Sequence, residues 1–521
     1  MKTVSPNELA GMMNSDGLYA VFDVRERGEF NNGQIPNGTS LPRSQIEFRI
    51  AELVPNRKIA IVVYDEGGER ATLAAQTLAE CGYHLVSVLD GGLDAWRQQG
   101  WAVVSGVNVP SKAFGERVQH ERRIPEITPG ELQRLKEAAA DLVIPDMRTP
   151  EEYARFCIPE GVNVPGGDVI LWAEELQRKP KTIVVVNCAG RTRSIIGTAA
   201  LCRLGLENVR ALRNGTMGWV LAGFELESKP NRESSSAPAA SRERATALAL
   251  RLAEEEGIPG ISASDLKRIS ENRDEGVSHL IDVRSESEYQ SGHMPGSLNV
   301  PGGQAVQRAD DFIAVRNAKI VFISNDSARA VMAAYWYRQM GFSDVQVLRG
   351  GISAWRRDGG PVRTGTETSQ PFGLDEAKKS VRLITPSDAS TLLKRSSLVT
   401  LDVGSSLEYE AAHLLGAKWI SRGWLELKLP GYFSDRAQAI LISCLDGKHS
   451  IFAARALAKC GYNNVCVLDG GVRTWIAAGL PVERGLSSCL TETNDVVLSP
   501  SIKGNKEDMQ RYLEWELKLT V

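Results

Sequence analysis

The sequence predicts an α/β protein made of four tandem three-layer α/β/α domains with mostly parallel sheets, followed by a C-terminal helix. One block that ends in a tryptophan occurs four times, as VLDGGLDAW, ALRNGTMGW, VLRGGISAW and VLDGGVRTW. Within each copy, short β-branched runs alternate with helical patterns, as in copy one, where AVFDVR and KIAIVVYD precede RATLAAQTLAECG. Apolar runs bounded by turns and interleaved with helices are typical of a buried parallel sheet.

Three markers keep a constant spacing in all four copies. An aspartate ends the first apolar strand, a polar loop begins 42 positions later, and a tryptophan closes the block 31 positions after that. The aspartates are Asp23, Asp146, Asp282 and Asp402; the loops begin at Asp65, Cys188, Ser324 and Cys444; the tryptophans are Trp96, Trp219, Trp355 and Trp475. This internal repeat identifies equivalent residues in the four copies.

The gaps between copies suggest the domain organisation. Residues 228–242 are rich in Ser, Pro and Ala, so they are interpreted as a linker, with a charged helical pattern after them. The copies are therefore expected to pair as 1–2 and 3–4. The predicted segments are domain 1 (1–104), domain 2 (120–227), a linker and helix (228–257), domain 3 (258–363), domain 4 (380–484) and a tail (485–521) whose helical pattern, EDMQRYLEWELKL, favours a packing or dimer element.

Composition excludes several classes of function. The formal charge of -3 and the pI near 6.2 give no reason to expect nucleic acid or an anionic membrane as a partner. The N-terminus has no apolar signal core, and no apolar run reaches the roughly 18 residues of a membrane span, so a cytoplasmic location is expected. The eight cysteines form no CxxC pair and have no zinc-like spacing, so no metal, cofactor or disulfide scaffold is expected.

The loop of copy two carries the strongest chemical pattern. A loop between a strand and a helix offers unpaired backbone N–H groups and the positive end of a helix dipole, which favour an anion and lower the pKa of a thiol. Two arginines add positive charge, and two hydroxyls add donors. We therefore expect Cys188 to be a thiolate nucleophile, and the substrate-binding candidates are Ala189, Gly190, Arg191, Thr192, Arg193 and Ser194.

The other three loops are weaker candidates. Cys444 lies beside Lys448 and His449, but Asp446 opposes their charge and Gly404 replaces the arginine that follows the strand aspartate in the other copies. Cys444 is therefore a secondary candidate. Copies one and three begin their loops at Asp65 and Ser324, without a thiol, and are expected to be catalytically silent.

These motifs resemble the rhodanese family over nearly the whole chain. The resemblance rests on IDVRSESEYQSGHMPGSLNVP (281–301), on the CxxxxR loop and on the closing GGxxxW pattern. It implies that Cys188 attacks the outer sulfur of thiosulfate, releases sulfite and carries a persulfide to cyanide or to a thiol such as glutathione or a thioredoxin-like protein. It also implies that Arg191 and Arg193 hold the donor, and that Asp146 and Arg148 form an ordering ion pair. The chain departs from the family at Cys157, where a histidine is usual.

Two other functions stay open at this stage. A cysteine phosphatase or arsenate reductase needs a roomier Cys-x5-Arg loop, whereas the spacing from Cys188 to Arg193 is Cys-x4-Arg. A non-catalytic scaffold or persulfide carrier built from rhodanese modules suits the two copies that lack a thiol. A homodimer through the tail is a further expectation.

Overall fold

The computed structural model describes residues 2–177, 181–230, 232, 236–271, 278–325, 327–367, 370–394 and 398–520. The chain divides into two compact units. One contains residues 1–106 and 368–497, which hold copies 1 and 4; the other contains residues 107–367 and 498–521, which hold copies 2 and 3 and the C-terminal segment. The predicted pairing of copies 1–2 and 3–4 is therefore wrong.

Copies 1 and 4 share one topology. In copy 1 the parallel sheet has the order Lys2–Val4, Val86–Leu89, Ala60–Tyr64, Tyr19–Asp23 and Thr39–Ser40. Its helices are Pro6–Met13, Arg27–Asn32, Ile46–Leu53, Glu69–Glu80 and Gly92–Gln98. In copy 4 the parallel order is Arg382–Ile384, Val465–Leu468, Ile440–Ser443, Val399–Asp402 and Lys418–Trp419, with the antiparallel pair His413–Leu414 and Val482–Glu483 beside it. Its helices are Leu374–Lys379, Pro386–Leu393, Ser406–Ala411, Leu425–Tyr432, Lys448–Lys459 and Gly471–Ala477.

Copies 2 and 3 repeat the same arrangement. In copy 2 the parallel order is Glu126–Ile127, Val209–Leu212, Ile183–Val186 and Leu142–Val143, beside the pairs Pro145–Asp146 with Val162–Asn163 and Phe156–Cys157 with Glu227–Ser228. Its helices are Pro129–Glu137, Pro150–Arg155, Ala173–Gln177, Thr192–Arg203 and Gly215–Leu221. In copy 3 the parallel order is Gly260–Ile261, Val345–Leu348, Lys319–Ile323, Ser278–Asp282 and Leu298–Asn299. A short strand follows at Val315–Arg316, and the helices are Ala263–Glu271, Glu286–Ser291, Gly302–Gln307, Ala309–Phe312, Ala328–Gln339 and Gly351–Arg357.

Three further helices complete the second unit. The first, Val109–Arg122, is called the connecting helix below; the second is Ala239–Glu255; the third, Lys506–Leu517, is called the C-terminal helix and follows a short turn of helix at Pro500–Lys503. The segment 228–242 is only partly a linker, since a helix already begins at Ala239; its residues 231 and 233–235 lie outside the described part, as does Asp326 of the copy-three loop.

A shared core explains why copies 2 and 3 belong together. The buried apolar cluster of this unit runs from Val184 of copy 2 to Trp336 of copy 3, and the connecting helix adds Phe114, whose ring meets Trp336 edge-on at 5.8 Å. Ala245 of the helix 239–255 lies in the same cluster. A Cβ on Gly167 would lie 2.9 Å from the Cα of Gly302, so glycine permits the two backbones to approach closely. This continuous core outweighs the linker-like composition between the two copies.

Candidate active site

The Cys188 loop lies at the carboxyl end of the central strand Ile183–Val186 and leads into the helix Thr192–Arg203. Open parallel sheets place their ligand sites at this end. The Sγ of Cys188 donates to Ser194 Oγ over 3.5 Å, and Ser194 Oγ donates to the carbonyl of Arg191 over 2.8 Å. The closing segment holds the loop from behind, since Thr216 N donates to the carbonyl of Cys188 over 2.9 Å.

The thiol of Cys188 is buried, with only 1% of its surface exposed, and all seven residues from Cys188 to Ser194 are buried with it. Burial raises the pKa of the Cys188 thiol, against the opposing influence of Arg193, Ser194 and the N–H of Gly190. The expectation of a thiol with a lowered pKa is therefore wrong for the buried thiol of this structure. The sequence shows the positive groups around the sulfur, but it does not show the desolvation that outweighs them.

Both arginines of the loop are bound to carboxylates. Arg191 donates to Glu116 of the connecting helix over 2.8 Å, and Arg193 donates to Glu152 over 2.6 and 2.9 Å. Although burial opposes it, Arg193 lowers the pKa of Glu152 to about 2. The expectation that Arg191 and Arg193 hold the donor stays a prediction, and in this structure both guanidinium groups are paired with carboxylates of the protein.

The Arg193–Glu152 ion pair is a structural feature that copy two shares with other copies of the repeat. Glu152 closes the capping box of the helix Pro150–Arg155 and lies 41 positions before its arginine. Copies one and three contain the same pair at the same spacing, Arg70 with Glu29 and Arg329 with Glu288. The arginine that ends the loop therefore fixes the loop to the neighbouring helix in three copies, whether or not a thiol is present.

Asp146 and Arg148 form a buried ion pair behind the thiol. Arg148 Nη2 donates to Asp146 over 2.8 Å, and both side chains are 1% exposed. Asn187, which directly precedes Cys188, donates its side-chain N–H to the same carboxylate over 2.9 Å. The pair therefore anchors the strand end from which the loop begins.

Three residues outside the repeat also surround this loop. Glu516 and Tyr512 come from the C-terminal helix, and Lys112 comes from the connecting helix. Thr192 Oγ1 donates to Glu516 over 2.8 Å, and Lys112 donates to the Tyr512 hydroxyl. Burial lowers the pKa of Lys112 to about 8, with Glu516 opposing the shift. Sequence reasoning missed all three, because no pattern in the chain indicates that positions 400 apart meet.

The Cys444 loop occupies the equivalent place in copy four, but its backbone and its charge differ: Gly447 before the helix has a φ of 86°, where Arg191 of copy two has a φ of -117°. Cys444 is 1% exposed, and burial together with Asp402 and Asp446 raises the pKa of its thiol to about 11. Lys448 is paired with Asp446 at 2.9 Å. Burial also lowers the pKa of His449 to about 3, which leaves the imidazole neutral. Positive charge near this thiol is therefore weaker than near Cys188.

The loss of an arginine at Gly404 explains part of that difference. Asp402 accepts from the N–H of Gly404 and from Ser443 Oγ, each over 2.9 Å, in place of the ion pair that Arg148 makes in copy two. Burial raises the pKa of Asp402 to about 7. Arg422 is the buried cation of this loop's surroundings, but it is bound to Glu47 at 2.6 Å.

The copy-one loop shows what such a loop binds. The carboxylate of Asp65, at the place of the thiol, accepts from the N–H groups of Gly68 and Ala71 over 2.5 and 3.1 Å. A negatively charged group therefore occupies the N–H cradle of this copy. Within the described part of the chain, the hydrogen bonds of the Cys157 thiol run to Glu227 and from Arg232, and burial raises the pKa of this thiol.

Comparison with known proteins agrees with this repeated architecture. The family model described as "Rhodanese-like domain" matches residues 5–99, 128–222, 262–358 and 385–478. The chain belongs to the rhodanese family. Its four rhodanese-like domains account for the fourfold repeat of strand aspartate, loop and closing tryptophan.

Solved and curated relatives place the chain more closely within the rhodanese family. The crystal structure of thiosulfate sulfurtransferase from Pseudomonas aeruginosa superposes with a TM-score of 0.92 and 36% identity, covering 100% of this chain and 97% of that one. Thiosulfate sulfurtransferase GlpE of Shewanella oneidensis is 33% identical over 97 residues, which is 19% of this chain and 93% of the relative. The tRNA uridine(34) hydroxylase of Buchnera aphidicola is 30% identical over 102 residues, 19% of this chain, and the match spans about a third of the relative (32%). No helix in the described part of the chain is long and apolar enough to cross a membrane.

Proposed function

We propose that the protein is a sulfurtransferase that moves sulfane sulfur from thiosulfate to cyanide or to a thiol acceptor, glutathione or a thioredoxin-like protein, in the cytoplasm. The observation that carries the proposal is Cys188 at the head of a rhodanese loop, in a chain that matches a solved thiosulfate sulfurtransferase over its whole length. The eight cysteines are free thiols, the state that a reducing compartment maintains.

The reaction has two displacement steps. The Cys188 thiolate attacks the outer sulfur of thiosulfate, the S–S bond of the donor breaks, and sulfite leaves with the electron pair of that bond. The acceptor then attacks the outer sulfur of the Cys188 persulfide and releases the thiolate. This is covalent catalysis in which the enzyme holds the group between two substrates.

The loop supplies stabilisation for sulfur anions at Cys188. Burial raises the pKa of the Cys188 thiol, while Arg193, Ser194 and the N–H of Gly190 oppose that rise and stabilise the thiolate. Ala189, Gly190 and Thr192 provide the backbone of the cradle for the persulfide. Arg191 serves as a positioning residue, since its bonds to Glu116 fix the loop to the connecting helix. Asp146 and Arg148 anchor the strand end.

Cys444 is the secondary site of this proposal. Its thiol has the same place in copy four, but its pKa of about 11 and the paired Lys448 favour the protonated form. Because Arg193 acts on the Cys188 thiol whereas Asp402 and Asp446 act on the Cys444 thiol, we expect a persulfide to form faster on Cys188.

One observation favours a second candidate, a persulfide carrier or non-catalytic scaffold. Both loop thiols are 1% exposed, so neither is open to a small donor in this closed state. A carrier that receives sulfur from a partner protein would be protected from other reactants by such burial.

Steady-state transfer from thiosulfate to cyanide tests the proposal. Wild type should turn over, Cys188→Ser should lose turnover, and Cys444→Ser should keep it. The serine variants are matched, since each removes one sulfur from an equivalent loop. Retention of turnover in Cys188→Ser would move the site to Cys444, and no turnover in the wild type would favour the carrier or scaffold.

A further inference from the structure

The C-terminal helix Lys506–Leu517 is part of the wall around Cys188. Met509 and Leu513 pack on Met217, which belongs to the helix directly behind the loop. All three side chains are at most 4% exposed. The helix therefore docks on copy two through an apolar contact, and its next turn reaches the loop itself.

Glu516 is the residue that this docking brings to the loop. Its side chain is 1% exposed, and one carboxylate oxygen accepts from Thr192 Oγ1 over 2.8 Å. Among the described residues the other oxygen, Oε2, has no hydrogen-bond partner, and it would lie 3.3 Å from a Cβ on Gly190. A buried carboxylate oxygen without a partner is costly. It is aimed at the backbone between Cys188 and Thr192, in a loop whose geometry favours anions.

Copy one shows that an equivalent loop can hold a carboxylate, although from within the loop and not from a separate helix. Asp65 directs both of its oxygens into the N–H groups of its own loop. Copy two has a thiol at that position, and a carboxylate from elsewhere in the chain approaches the same type of loop. A carboxylate thus lies at the loop in both copies, from the loop itself in copy one and from the C-terminal helix in copy two.

Lys112 and Tyr512 hold the same helix in place. The Lys112 ammonium donates to the Tyr512 hydroxyl and lies 4.2 Å from the centre of the Tyr512 ring and 4.9 Å from that of Trp515. Lys112 is 3% exposed, and Glu516 stabilises its charge. The helix therefore contacts a buried cation as well as the Cys188 loop.

We propose that the C-terminal helix is an internal plug of the Cys188 site, in which Glu516 takes the place of the anionic group of the sulfur donor. The donor, or a protein that delivers it, reaches Cys188 only when the helix undocks. The identity of the donor as an anion rests on the proposed function; the closure of the site does not.

Undocking of the C-terminal helix should lower the pKa of the Cys188 thiol. Lys112 faces the thiol from the connecting helix, Arg193 from its own helix, and Tyr512 with Glu516 from the C-terminal helix. Removal of the helix takes away Glu516 and much of the burial, while Arg193 and Lys112 stay. The opened site therefore favours the thiolate, and Cys188 becomes more reactive.

The test is the alkylation rate of Cys188 by iodoacetamide in the full chain, followed by peptide mass spectrometry across a pH series. Leu513→Asp undocks the helix, and Glu516→Gln removes the charge while keeping the shape. The matched controls are Leu517→Asp and Glu514→Gln, because both positions are exposed on the same helix. Cys444 in the same digest reports on general unfolding.

Leu513→Asp should speed alkylation of Cys188 about tenfold or more. A tenfold change corresponds to a loss of about 1.4 kcal/mol from the free energy that favours the docked helix. Glu516→Gln should give a smaller rise in the same direction, and it keeps the test valid if Leu513→Asp does not fold. Both controls should match wild type. Equal rates in wild type, Leu513→Asp and Glu516→Gln would overturn the plug, as would a rise at Cys444 equal to that at Cys188.

The readout separates this inference from the proposed function. Faster alkylation of Cys188 in a protein without thiosulfate turnover would support the plug and refute the thiosulfate reaction. Normal thiosulfate turnover with unchanged alkylation of Cys188 in Leu513→Asp and Glu516→Gln would support the thiosulfate reaction and refute the plug. If both hold, Glu516→Gln should also lower the KM for thiosulfate, since a competing carboxylate is gone.

Discussion

Gly215→Ala should disable the Cys188 loop with little change to the rest of the chain. Gly215 has a φ of 54°, a left-handed conformation that side chains rarely adopt, and a Cβ there would lie 2.2 Å from the carbonyl oxygen of Cys188 and 2.8 Å from that of Gly190. Since real Cβ atoms essentially never approach within 3.0 Å, the Cys188 carbonyl must retreat by about 0.8 Å. The perturbation therefore acts on the residue that carries the thiol.

Two effects set the magnitude of this change. The left-handed backbone costs about 1–2 kcal/mol of stability for any residue with a Cβ. A displacement of about 1 Å at a reacting group lowers turnover about 100-fold. Gly205→Ala separates the two effects, because Gly205 has a φ of 95° in the same copy but no atom within 4 Å of its Cβ position.

The assay is thiosulfate-to-cyanide turnover together with thermal unfolding. Gly205→Ala should lose stability through backbone strain alone, and Gly215→Ala should lose at least as much because the contact with the Cys188 carbonyl adds to that strain; only Gly215→Ala should lose turnover. Gly471→Ala is the matched change in copy four, where a Cβ would lie 2.2 Å from the carbonyl oxygen of Cys444, and it should leave turnover intact. Equal turnover in Gly215→Ala and Gly205→Ala would refute the reasoning, and a loss confined to Gly471→Ala would assign the reaction to copy four.

Three further variants test the surroundings of the thiol. The pKa of Glu152 is lowered to about 2, although burial opposes the shift. Its ion pair with Arg193 therefore contributes up to about 3 kcal/mol to the free energy of unfolding above pH 4.5, and this contribution is lost as the pH falls toward 2. In Glu152→Gln, the free energy of unfolding should depend less on pH over this range. Arg148→Gly should cost about 3–5 kcal/mol in urea unfolding, because it leaves the buried carboxylate of Asp146 without its cation. Ser194→Ala should move the pH–rate profile to higher pH, since the hydroxyl stabilises the thiolate; an unmoved profile would remove Ser194 from the site.

The repeat explains how much of the fold the sequence could reveal. The constant positions of Asp146, Cys188 and Trp219 relative to their counterparts predicted four α/β/α domains and the loop of each, and the family and fold comparisons confirm this. The pairing of the domains was wrong, because it was judged from the composition of residues 228–242. Copies 2 and 3 are held together by a shared apolar core that includes small side chains such as Ala245. The sequence does not show which of these side chains become buried against the other copy.

The site could be predicted only in part, for similar reasons. The loop residues follow from the repeat, and the constant spacing of 41 between Glu152 and Arg193 was a signal in the sequence that would have indicated a paired arginine. The direction of the thiol pKa could not be predicted, because it depends on how far the folded protein removes the sulfur from water. Glu516 lies on a tail outside the repeat, and no periodicity connects it with Cys188.

Mass spectrometry of the whole protein after treatment with thiosulfate, followed by peptide mapping, tests the central claim most directly. The account predicts one added sulfur atom on the peptide that contains Cys188, removed again by cyanide, and little or none on the peptide that contains Cys444. An adduct confined to Cys444, or no adduct on either peptide under conditions that unfold the C-terminal helix, would contradict it.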